Sequence, residues 1–371
     1  MASNSINLRT PGPTPLPDPV LEALSNPMIN HRGPEFKKLL DDTTHKMKQI
    51  FMTQNDVFIL TASGSGALEA SIVNTLSPGD KVISCSAGSF GDRYTEIART
   101  YGANVVELSY EWGDAIPPED IKKALLANLD TKAVIVTHNE TSTGVEHDLQ
   151  EIARVVKENS DALILVDAVS SLGSVPLPVD GWSCDVVCTG SQKSFMIPPG
   201  LSFISFSKRA WEAFDVATMP KSYFDLGAAK DALSKGQTPW TPSISLFYAL
   251  DVALDMMLDE GLENIFIRQS NIAEYTRKRS KELGLELLPT DEKRASDTVT
   301  AVRLPDCIDS SKFMSMMKND ENIVLAGGQG KLTSKIFRIG HLGSVVIEEI
   351  EEVFESLERV LPKLGYSLPA K

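Results

Sequence analysis

The stretch of sequence that indicates the fold most directly reads Leu163-Ile164-Leu165-Val166-Asp167-Ala168-Val169. Residues 162–166 form a short, continuous apolar run, which is typical of a strand buried on both faces of a parallel sheet. Asp167 follows this run directly. Because ligands bind at the carboxyl ends of the strands in parallel α/β sheets, Asp167 is a candidate functional residue as well as the end of a predicted strand.

Similar apolar runs recur along the first part of the chain, and amphipathic stretches separate several of them. The runs occupy residues 57–60, 81–85, 104–108, 133–137, 185–188 and 201–206. Residues 67–76 and 149–157 have the apolar spacing of helices. Strands that alternate with helices predict an α/β fold, in which a large domain contains a mostly parallel sheet covered by helices.

The pattern changes after residue 243, where long helical stretches replace the alternation. Helices are predicted at residues 244–258, 262–283 and 346–361, and strands at residues 298–304 and 337–339. The last helix repeats its apolar residues at positions 346, 350, 353, 357 and 360, which lie on one helical face. This mixture predicts a small C-terminal α+β domain.

We therefore expect three parts, namely an extended N-terminal segment at residues 1–20, a large domain at 21–260 and a small domain at 261–371. Five prolines fall between Pro11 and Pro19. Proline removes a backbone donor and disrupts helices, so this segment is expected to be extended and to lie across another part of the molecule.

Composition limits the partners and the compartment of the protein. The net charge is −14, so the surface as a whole repels nucleic acid and anionic membranes, and neither is an expected partner. The four cysteines form no Cys-x-x-Cys pair, and the five histidines show no ligand spacing with them, so no metal site is predicted. With no secretory signal and no apolar run of the roughly 18 residues that span a bilayer, a cytoplasmic protein is the default expectation.

Two predicted strand ends carry groups suited to binding an anion or a cation. Thr61-Ala62-Ser63-Gly64-Ser65-Gly66 lies between a strand and a helix. Its backbone N–H groups, its hydroxyls and the helix dipole would suit a phosphate, with an ordinary tight turn as the alternative. Asp167 would suit the protonated nitrogen of a pyridine ring, with a simple turn cap as the alternative.

Two further strand ends carry an amine and a group of hydroxyls. Thr189-Gly190-Ser191-Gln192-Lys193-Ser194-Phe195 places Lys193 among small and apolar residues. Most lysines are solvated, but burial lowers the pKa of an amine and makes it a nucleophile toward aldehydes. Thr137-His138-Asn139-Glu140-Thr141-Ser142-Thr143-Gly144 is rich in hydroxyls, and a structural loop is the alternative there.

These strand ends together match the needs of one cofactor. Pyridoxal phosphate requires a phosphate anchor, an acid at the ring nitrogen and a lysine for the aldehyde. Lys193 lies 26 positions after Asp167. That spacing leaves room for one strand between the two residues, as two adjacent strand ends require.

The order and spacing of the motifs resemble those of class V pyridoxal-phosphate-dependent aminotransferases, and most closely the alanine–glyoxylate and serine–glyoxylate branch. The resemblance runs from about Pro11 to near Gly365, almost the whole chain. Its motifs are Pro11-Gly12-Pro13, residues 31–36, 63–70, 138–144, 166–171, 190–193 and 240–243, and Phe337-Arg338-Ile339-Gly340-His341-Leu342-Gly343. The resemblance implies the aminotransferase fold (fold type I) and a homodimer with active sites at its interface.

The resemblance also implies a role for each matching residue. Lys193 would carry pyridoxal phosphate as a Schiff base and move the substrate proton, Asp167 would pair with the ring nitrogen, and Arg338 would bind the substrate carboxylate. The remaining positions implied to hold the cofactor are Ser63, Gly64, Ser65 and Gln192 at the phosphate, Val169 and Phe90 on the two ring faces, Ser142 near the ring hydroxyl, and Thr241 of the partner subunit at the phosphate. Many relatives have Trp where Phe90 stands, and some have Tyr where Thr238 stands.

The resulting expectation is ping-pong transamination of serine or alanine with glyoxylate as the acceptor. Arg338 is the one evident carboxylate clamp in the motifs, and the hydroxyls of residues 141–143 would suit a small polar donor. Aspartate stays an alternative donor, because Arg32 would supply a second cation for its distal carboxylate if it faces the pocket. A 2-aminoethylphosphonate transaminase is a further alternative, as is a lyase of the cysteine desulfurase type, although residues 326–334 contain no cysteine. A regulator built on the same fold would usually add a DNA-binding segment, which the sequence lacks.

Overall fold

The computed structural model describes residues 6–369, and a seven-stranded sheet lies at its centre. The strands of the described chain are β1 (Asn7–Leu8), β2 (Asp56–Leu60), β3 (Lys81–Ser86), β4 (Asn104–Ser109), β5 (Thr131–Thr137), β6 (Asn139–Glu140), β7 (Val145–Glu146), β8 (Leu163–Asp167), β9 (Val186–Gly190), β10 (Ser202–Phe206), β11 (Val299–Arg303), β12 (Ile323–Val324), β13 (Ala326–Gly327) and β14 (Ile336–Gly340). The central sheet has the order β2-β10-β9-β8-β5-β3-β4. All seven predicted apolar runs form its strands.

Helices cover both faces of this sheet. They are α1 (Asp18–Ala23), α2 (Pro34–Phe51), α3 (Gly64–Thr75), α4 (Ser89–Thr100), α5 (Pro118–Ala127), α6 (Leu149–Asn159), α7 (Lys208–Phe214), α8 (Leu226–Leu233), α9 (Ile244–Glu260), α10 (Leu262–Glu282), α11 (Ser310–Asn319) and α12 (Ile347–Lys363). Ile164 and Val166 pack into the apolar cluster that contains α2, α5, α6 and α9. Leu163 and Leu165 pack into the opposite cluster, with α3, α4, α7 and α8. Burial on both faces explains the continuous apolar runs and confirms the predicted α/β fold.

The direction of the strands determines where the functional residues lie. β10 runs antiparallel to β2 and β9, and the other six strands of the central sheet share one direction. The carboxyl ends of β2, β3, β5, β8 and β9 therefore lie along one edge of the sheet. The four stretches that carry candidate functional residues follow β2, β5, β8 and β9 at this edge.

The C-terminal part contains a second, antiparallel sheet of order β11-β14-β13. It packs with α11 and α12 around a separate apolar cluster that includes Phe313, Phe337 and Phe354. This is the predicted α+β arrangement. The boundary between the domains, which we place between residues 260 and 261, stays a prediction, and it falls between α9 and α10.

The N-terminal segment crosses both parts of the molecule. β1 pairs in parallel with β12, and the carbonyl oxygen of Arg9 accepts from the N–H of Gly340 at 2.7 Å. Thr14 then donates to the carbonyl oxygens of Gln192 and Lys193. Residues 1–5 of the predicted extended segment lie outside the described residues. The prediction was wrong for residues 18–20, because α1 begins at Asp18 and tolerates proline in its first turn, where no intrahelical N–H bond is required.

No helix within residues 6–369 combines the length and apolar character needed to cross a bilayer. The same residues contain no cluster of three or more His, Cys, Asp or Glu side chains arranged to hold a metal ion.

Candidate active site

Lys193 lies in the turn that follows β9, and its side chain is 8% exposed. The amine donates a hydrogen bond to the carbonyl oxygen of Pro11 in the N-terminal segment. Gly12 leaves the space for this contact, since a Cβ at that position would lie 2.6 Å from Nζ. Burial, together with the positive charge of Arg338, lowers the pKa of Lys193 to about 8. The amine is therefore neutral, and nucleophilic, in a far larger fraction of molecules than a solvated lysine is.

Asp167 ends β8, the strand next to β9, and it pairs with Cys188 in the register of the two strands. Its carboxyl group is buried and accepts one hydrogen bond, from the N–H of Val169 at 2.9 Å. Burial raises the pKa of Asp167 to about 7, and the negative charge of Glu140 acts in the same direction. The carboxylate form consequently needs a cation beside it. A protonated pyridine nitrogen is such a cation, so this residue fits the predicted cofactor.

The predicted phosphate cradle lies at the start of α3, with Ser63 as the residue before the helix. A Cβ on Gly64 would lie 2.7 Å from Val169, so the cradle packs directly against the loop that follows Asp167. A Cβ on Gly190 would lie 3.3 Å from Oε1 of Gln192 and 3.5 Å from the backbone of Gly64. Oε1 of Gln192 is buried without a hydrogen-bond partner in the described chain. Small residues and the N–H groups of a helix N-terminus together fit a phosphate.

Arg338 lies in the middle of β14 and is 4% exposed. Its guanidinium donates to the carbonyl oxygen of Gly327 at 2.8 and 3.0 Å and to that of Thr141 at 3.0 Å. Burial lowers the pKa of Arg338 to about 10. No carboxylate within residues 6–369 lies within 4.0 Å of the guanidinium, so its hydrogen-bond partners there are carbonyl oxygens, and the charge of Glu140 acts on it from a greater distance. A substrate carboxylate would complete this group, because arginine binds carboxylates in a planar, two-bond geometry.

Ser142 and Phe90 meet at a carboxylate to which the sequence analysis assigned no role. Oγ of Ser142 donates to Glu140 and accepts from the N–H of Ser89 at 2.9 Å. Phe90 is half-buried in the first turn of α4, and its N–H donates to the same Glu140. An acidic residue in the loop directly after β5 was the available signal, and it was overlooked.

The hydroxyls of residues 141–143 do not point to a polar substrate, contrary to our expectation. Thr141 donates to Ser170 at 2.6 Å, and Thr143 donates to the carbonyl oxygen of Glu140 at 3.3 Å. Ser142 donates to the Glu140 side chain. All three hydroxyl hydrogens are therefore bound inside the protein, which was not evident from the sequence.

Thr241 follows Trp240, whose indole N–H donates to the carbonyl oxygen of Tyr223, and the Tyr223 hydroxyl donates to that of Thr61 in the predicted phosphate cradle. Thr241 is exposed and makes no hydrogen bond to Ser63, Gln192 or Lys193 in the described chain. The segment before it is anchored by Arg32, which donates to the side chain of Gln237 and to the carbonyl oxygen of Thr238.

Arg93 is a cation near the site that the sequence analysis missed. It lies in the first half of α4, with its guanidinium 5.0 Å from the centre of the Phe90 ring. It forms no ion pair with any residue between positions 6 and 369. Its charge lowers the pKa values of both Lys193 and Asp167, after larger effects of burial.

Several relatives resemble this chain over almost its whole length. It is 48% identical to the soluble hydrogenase small subunit of Synechococcus sp. (strain PCC 6716), covering 97% of this chain and 94% of that protein. It is 35% identical to the L-aspartate–glyoxylate aminotransferase of Paracoccus denitrificans, covering 96% and 91%. It is 36% identical to the serine–glyoxylate aminotransferase of Methylorubrum extorquens, covering 91% and 87%.

The fold and the family model agree with these similarities. The crystal structure of an alanine–glyoxylate aminotransferase from Nostoc sp. superimposes with a TM-score of 0.92 at 32% identity, covering 97% of this chain and 96% of that one. The model of the class-V aminotransferase family matches residues 6–341. That match includes the buried lysine, the carboxyl group beside it and the arginine on β14, and the chain belongs to the class-V aminotransferase family and is an aminotransferase.

Proposed function

We propose that this protein binds pyridoxal phosphate through Lys193 and transfers the amino group of serine or alanine to glyoxylate. The residues that would hold the cofactor are Lys193, Asp167, Val169, Phe90, Ser142, Ser63, Gly64, Ser65 and Gln192, with Thr241 of the partner subunit. When bound, the cofactor supplies an electron sink that stabilises negative charge on the substrate carbon that loses its proton. Its fit rests on the buried amine, on the carboxyl group that needs a cation and on the small residues at the N-terminus of α3.

The observation that carries the proposal is the convergence of three buried ionisable groups. Lys193, Asp167 and Arg338 come from different strands, and the pKa of Lys193 responds to both of the other groups. Arg338 would orient the substrate by its α-carboxylate, and the neutral amine of Lys193 would remove the proton from Cα and return it. Because both substrates would use the same arginine, the donor product has to leave before glyoxylate binds, which supports ping-pong kinetics.

Arg93 keeps aspartate as a second candidate donor. A distal carboxylate needs a second cation, and Arg93 is close enough to affect the pKa values of Lys193 and Asp167. Arg32, which we considered for this role, is exposed and bonded to Gln237 and Thr238. Serine and alanine remain the first choice because Arg338 is deeply buried and Arg93 is exposed. The hydrogenase name of the Synechococcus relative is not carried over, since the buried groups are those of amino-group transfer.

A kinetic matrix tests the choice of substrate. Serine, alanine and aspartate are each paired with glyoxylate, pyruvate and 2-oxoglutarate, and kcat/KM is measured. We expect the highest kcat/KM for serine or alanine with glyoxylate. A higher kcat/KM with 2-oxoglutarate than with glyoxylate would contradict the proposal that glyoxylate is the acceptor. If aspartate is the best donor, Arg93→Gln should lower kcat/KM for aspartate selectively, and Arg32→Gln is the matched control with an exposed arginine changed.

The position of Thr241 supports a homodimer. Its segment is exposed, and the neighbouring Trp240 stacks on Tyr223 with the rings 5.8 Å apart while remaining 43% exposed. Clustered exposed aromatic rings are typical of protein interfaces. We infer that Thr241 would contact the pyridoxal phosphate of a second subunit, as the family resemblance implies.

We expect sedimentation velocity to give a dimer, and Trp240→Arg to shift it toward monomers that bind pyridoxal phosphate more weakly. Leu129→Arg is the control, because Leu129 is 85% exposed and precedes β5, at the end of the sheet opposite the site. Fully active wild-type monomers at the assay concentration would contradict the dimer. The expected cytoplasmic location stays a prediction.

A further inference from the structure

Glu140 is a buried carboxyl group at the edge of the site, only 1% exposed. It ends β6, in the hairpin that follows β5, and its side chain points to the first turn of α4. Oε2 accepts from the N–H groups of Phe90 at 3.1 Å and Gly91 at 3.0 Å. Oε1 accepts from the N–H of Ser142 at 3.1 Å and from its hydroxyl at 2.5 Å.

All of these partners are donors, which indicates the ionised form of Glu140. A protonated carboxyl group would direct its own hydrogen at one of them. The position at the N-terminus of a helix favours negative charge as well. Burial raises the pKa of Glu140, and the bonds from Ser142, Gly91 and Phe90 lower it. The pKa of Glu140 stays above its ordinary value, because the hydrogen bonds reduce the effect of burial without cancelling it. The carboxylate form therefore rests on the geometry of the donors around both oxygens.

The backbone around Glu140 is shaped to admit its side chain. A Cβ on Gly88 would lie 2.3 Å from Cγ and Cδ of Glu140 and 2.6 Å from Oγ of Ser142. The backbone of Gly88 is extended, with φ of 177°, so a need for an unusual backbone conformation does not explain why glycine stands here. The Glu140 carboxylate packs directly against the turn that leads into α4, and this leaves no space for a larger residue.

We propose, resting on the cofactor assignment above, that Glu140 is a positioning residue that locks the Phe90 ring and the Ser142 hydroxyl in the arrangement that receives the cofactor. These two residues come from separate loops, one after β3 and one after β5, and Glu140 joins them through both of its oxygens. Without it, the N–H groups of Phe90 and Gly91 would lose their acceptor in the first turn of α4, and the Ser142 hydroxyl would lose the oxygen to which it donates.

The charge of Glu140 also acts on the two charged groups beside it. It raises the pKa of Asp167 and stabilises the protonated form of Arg338. Removal of this charge should therefore lower the pKa of Asp167. If cofactor binding needs the Asp167 carboxylate, the affinity for pyridoxal phosphate should fall as the pH is lowered. The midpoint of this fall should lie at a lower pH in Glu140→Gln than in the wild type. A residue that only supported the fold would not move this midpoint.

The test measures binding of pyridoxal phosphate to cofactor-free protein, by quenching of tryptophan fluorescence, and does not depend on turnover. Glu140→Gln keeps the shape and removes the charge, and Glu140→Ala removes both. We expect Kd to rise roughly 10-fold for Glu140→Gln and more for Glu140→Ala, the scale of a lost charged hydrogen bond. Glu96→Gln is the matched control, as Glu96 is an exposed glutamate on α4 and the change leaves the hydrogen bonds of Glu140 intact.

Double variants show whether Glu140 acts through its two partners. If it does, Glu140→Gln combined with Ser142→Ala, or with Phe90→Ala, should weaken binding by less than the product of the single effects. Multiplicative effects, or a Glu140→Gln variant with wild-type Kd and an unchanged acid midpoint, would overturn the proposal. If the wild-type protein itself fails to bind pyridoxal phosphate, the cofactor assignment fails instead, so the two results are distinguishable.

Discussion

Replacing Lys193 with alanine should abolish transamination while leaving a folded protein that binds pyridoxal phosphate weakly. Lys193 is the buried amine at the centre of the site, and its pKa of about 8 makes it available both as a nucleophile and as a base. Positioned proton transfer alone is worth about 10²–10⁴-fold in rate, so turnover should fall by at least about 10³-fold when the covalent attachment is lost as well. Turnover of serine or alanine with glyoxylate measures the loss.

Reduction with borohydride identifies the lysine independently of turnover. We expect a single labelled peptide that contains Lys193 after the wild-type protein is incubated with pyridoxal phosphate and reduced. Lys331→Ala is the control, since Lys331 is half-exposed and lies near Glu111 on the surface. A label on another lysine, with Lys193 unmodified, would remove Lys193 from its assigned role.

Replacing Asp167 with asparagine should leave the cofactor bound and lower turnover by orders of magnitude. An amide is close in shape and keeps the oxygen that accepts from Val169, so the loop should retain its structure. It carries no negative charge, however, and so cannot keep the ring nitrogen protonated. The measurement is kcat at saturating substrate. Wild-type kcat in this variant would exclude Asp167 from the site.

The same substitution has a signature in the stability of the cofactor-free protein. The pKa of Asp167 is raised on folding from 3.8 to about 7, so between these values the folded state binds more protons than the unfolded state. Its contribution to stability is therefore present at low pH and is lost as the pH rises toward 7. Asp167→Asn removes this loss, and the variant should unfold at a higher temperature than the wild type above pH 7, with the difference disappearing toward pH 4.

Asp185→Asn is the matched control for both measurements. Asp185 is also a buried carboxyl group whose pKa is raised by burial, but it precedes β9 and lies at the opposite end of the sheet. It pairs with Arg209 at 2.9 Å. This variant should therefore show a similar pH-dependent gain in stability, opposed by the loss of the ion pair with Arg209, while kcat is unchanged.

The strands of the central sheet other than the edge strand β4, which is partly exposed, were predictable because their residues are almost all buried. Residues 162–166 and the six similar runs needed no knowledge of their neighbours, since a continuous apolar run has few other stable solutions. The helix Pro34–Phe51 was missed, although proline at its first position and buried residues at 36, 40, 47 and 50 carry the signal of an amphipathic helix. Only its recognisable motif at residues 31–36 had been noted.

Lys193, Asp167 and Arg338 were identified from the sequence because each stands beside apolar residues, where a charged group requires a reason. Glu140 and Arg93 were not, because their neighbours in the sequence are mostly polar, and the position of Glu140 after β5 was the one available signal. Glu140 became a candidate only when its oxygens were found at the N-terminus of α4, and Arg93 only when it was found over Phe90.

The local pattern of residues was thus sufficient to predict the class of fold, the edge of the sheet where the candidate site lies and the ionisable groups next to strands. Burial and periodicity are local properties of a sequence. The packing of distant segments against one another is not, and that packing brings the carbonyl oxygen of Pro11 to the amine of Lys193 and the charge of Arg338 close enough to lower its pKa. It also binds the hydroxyls of residues 141–143 inside the protein. These contacts join positions far apart in the chain, so they exist only in the folded molecule.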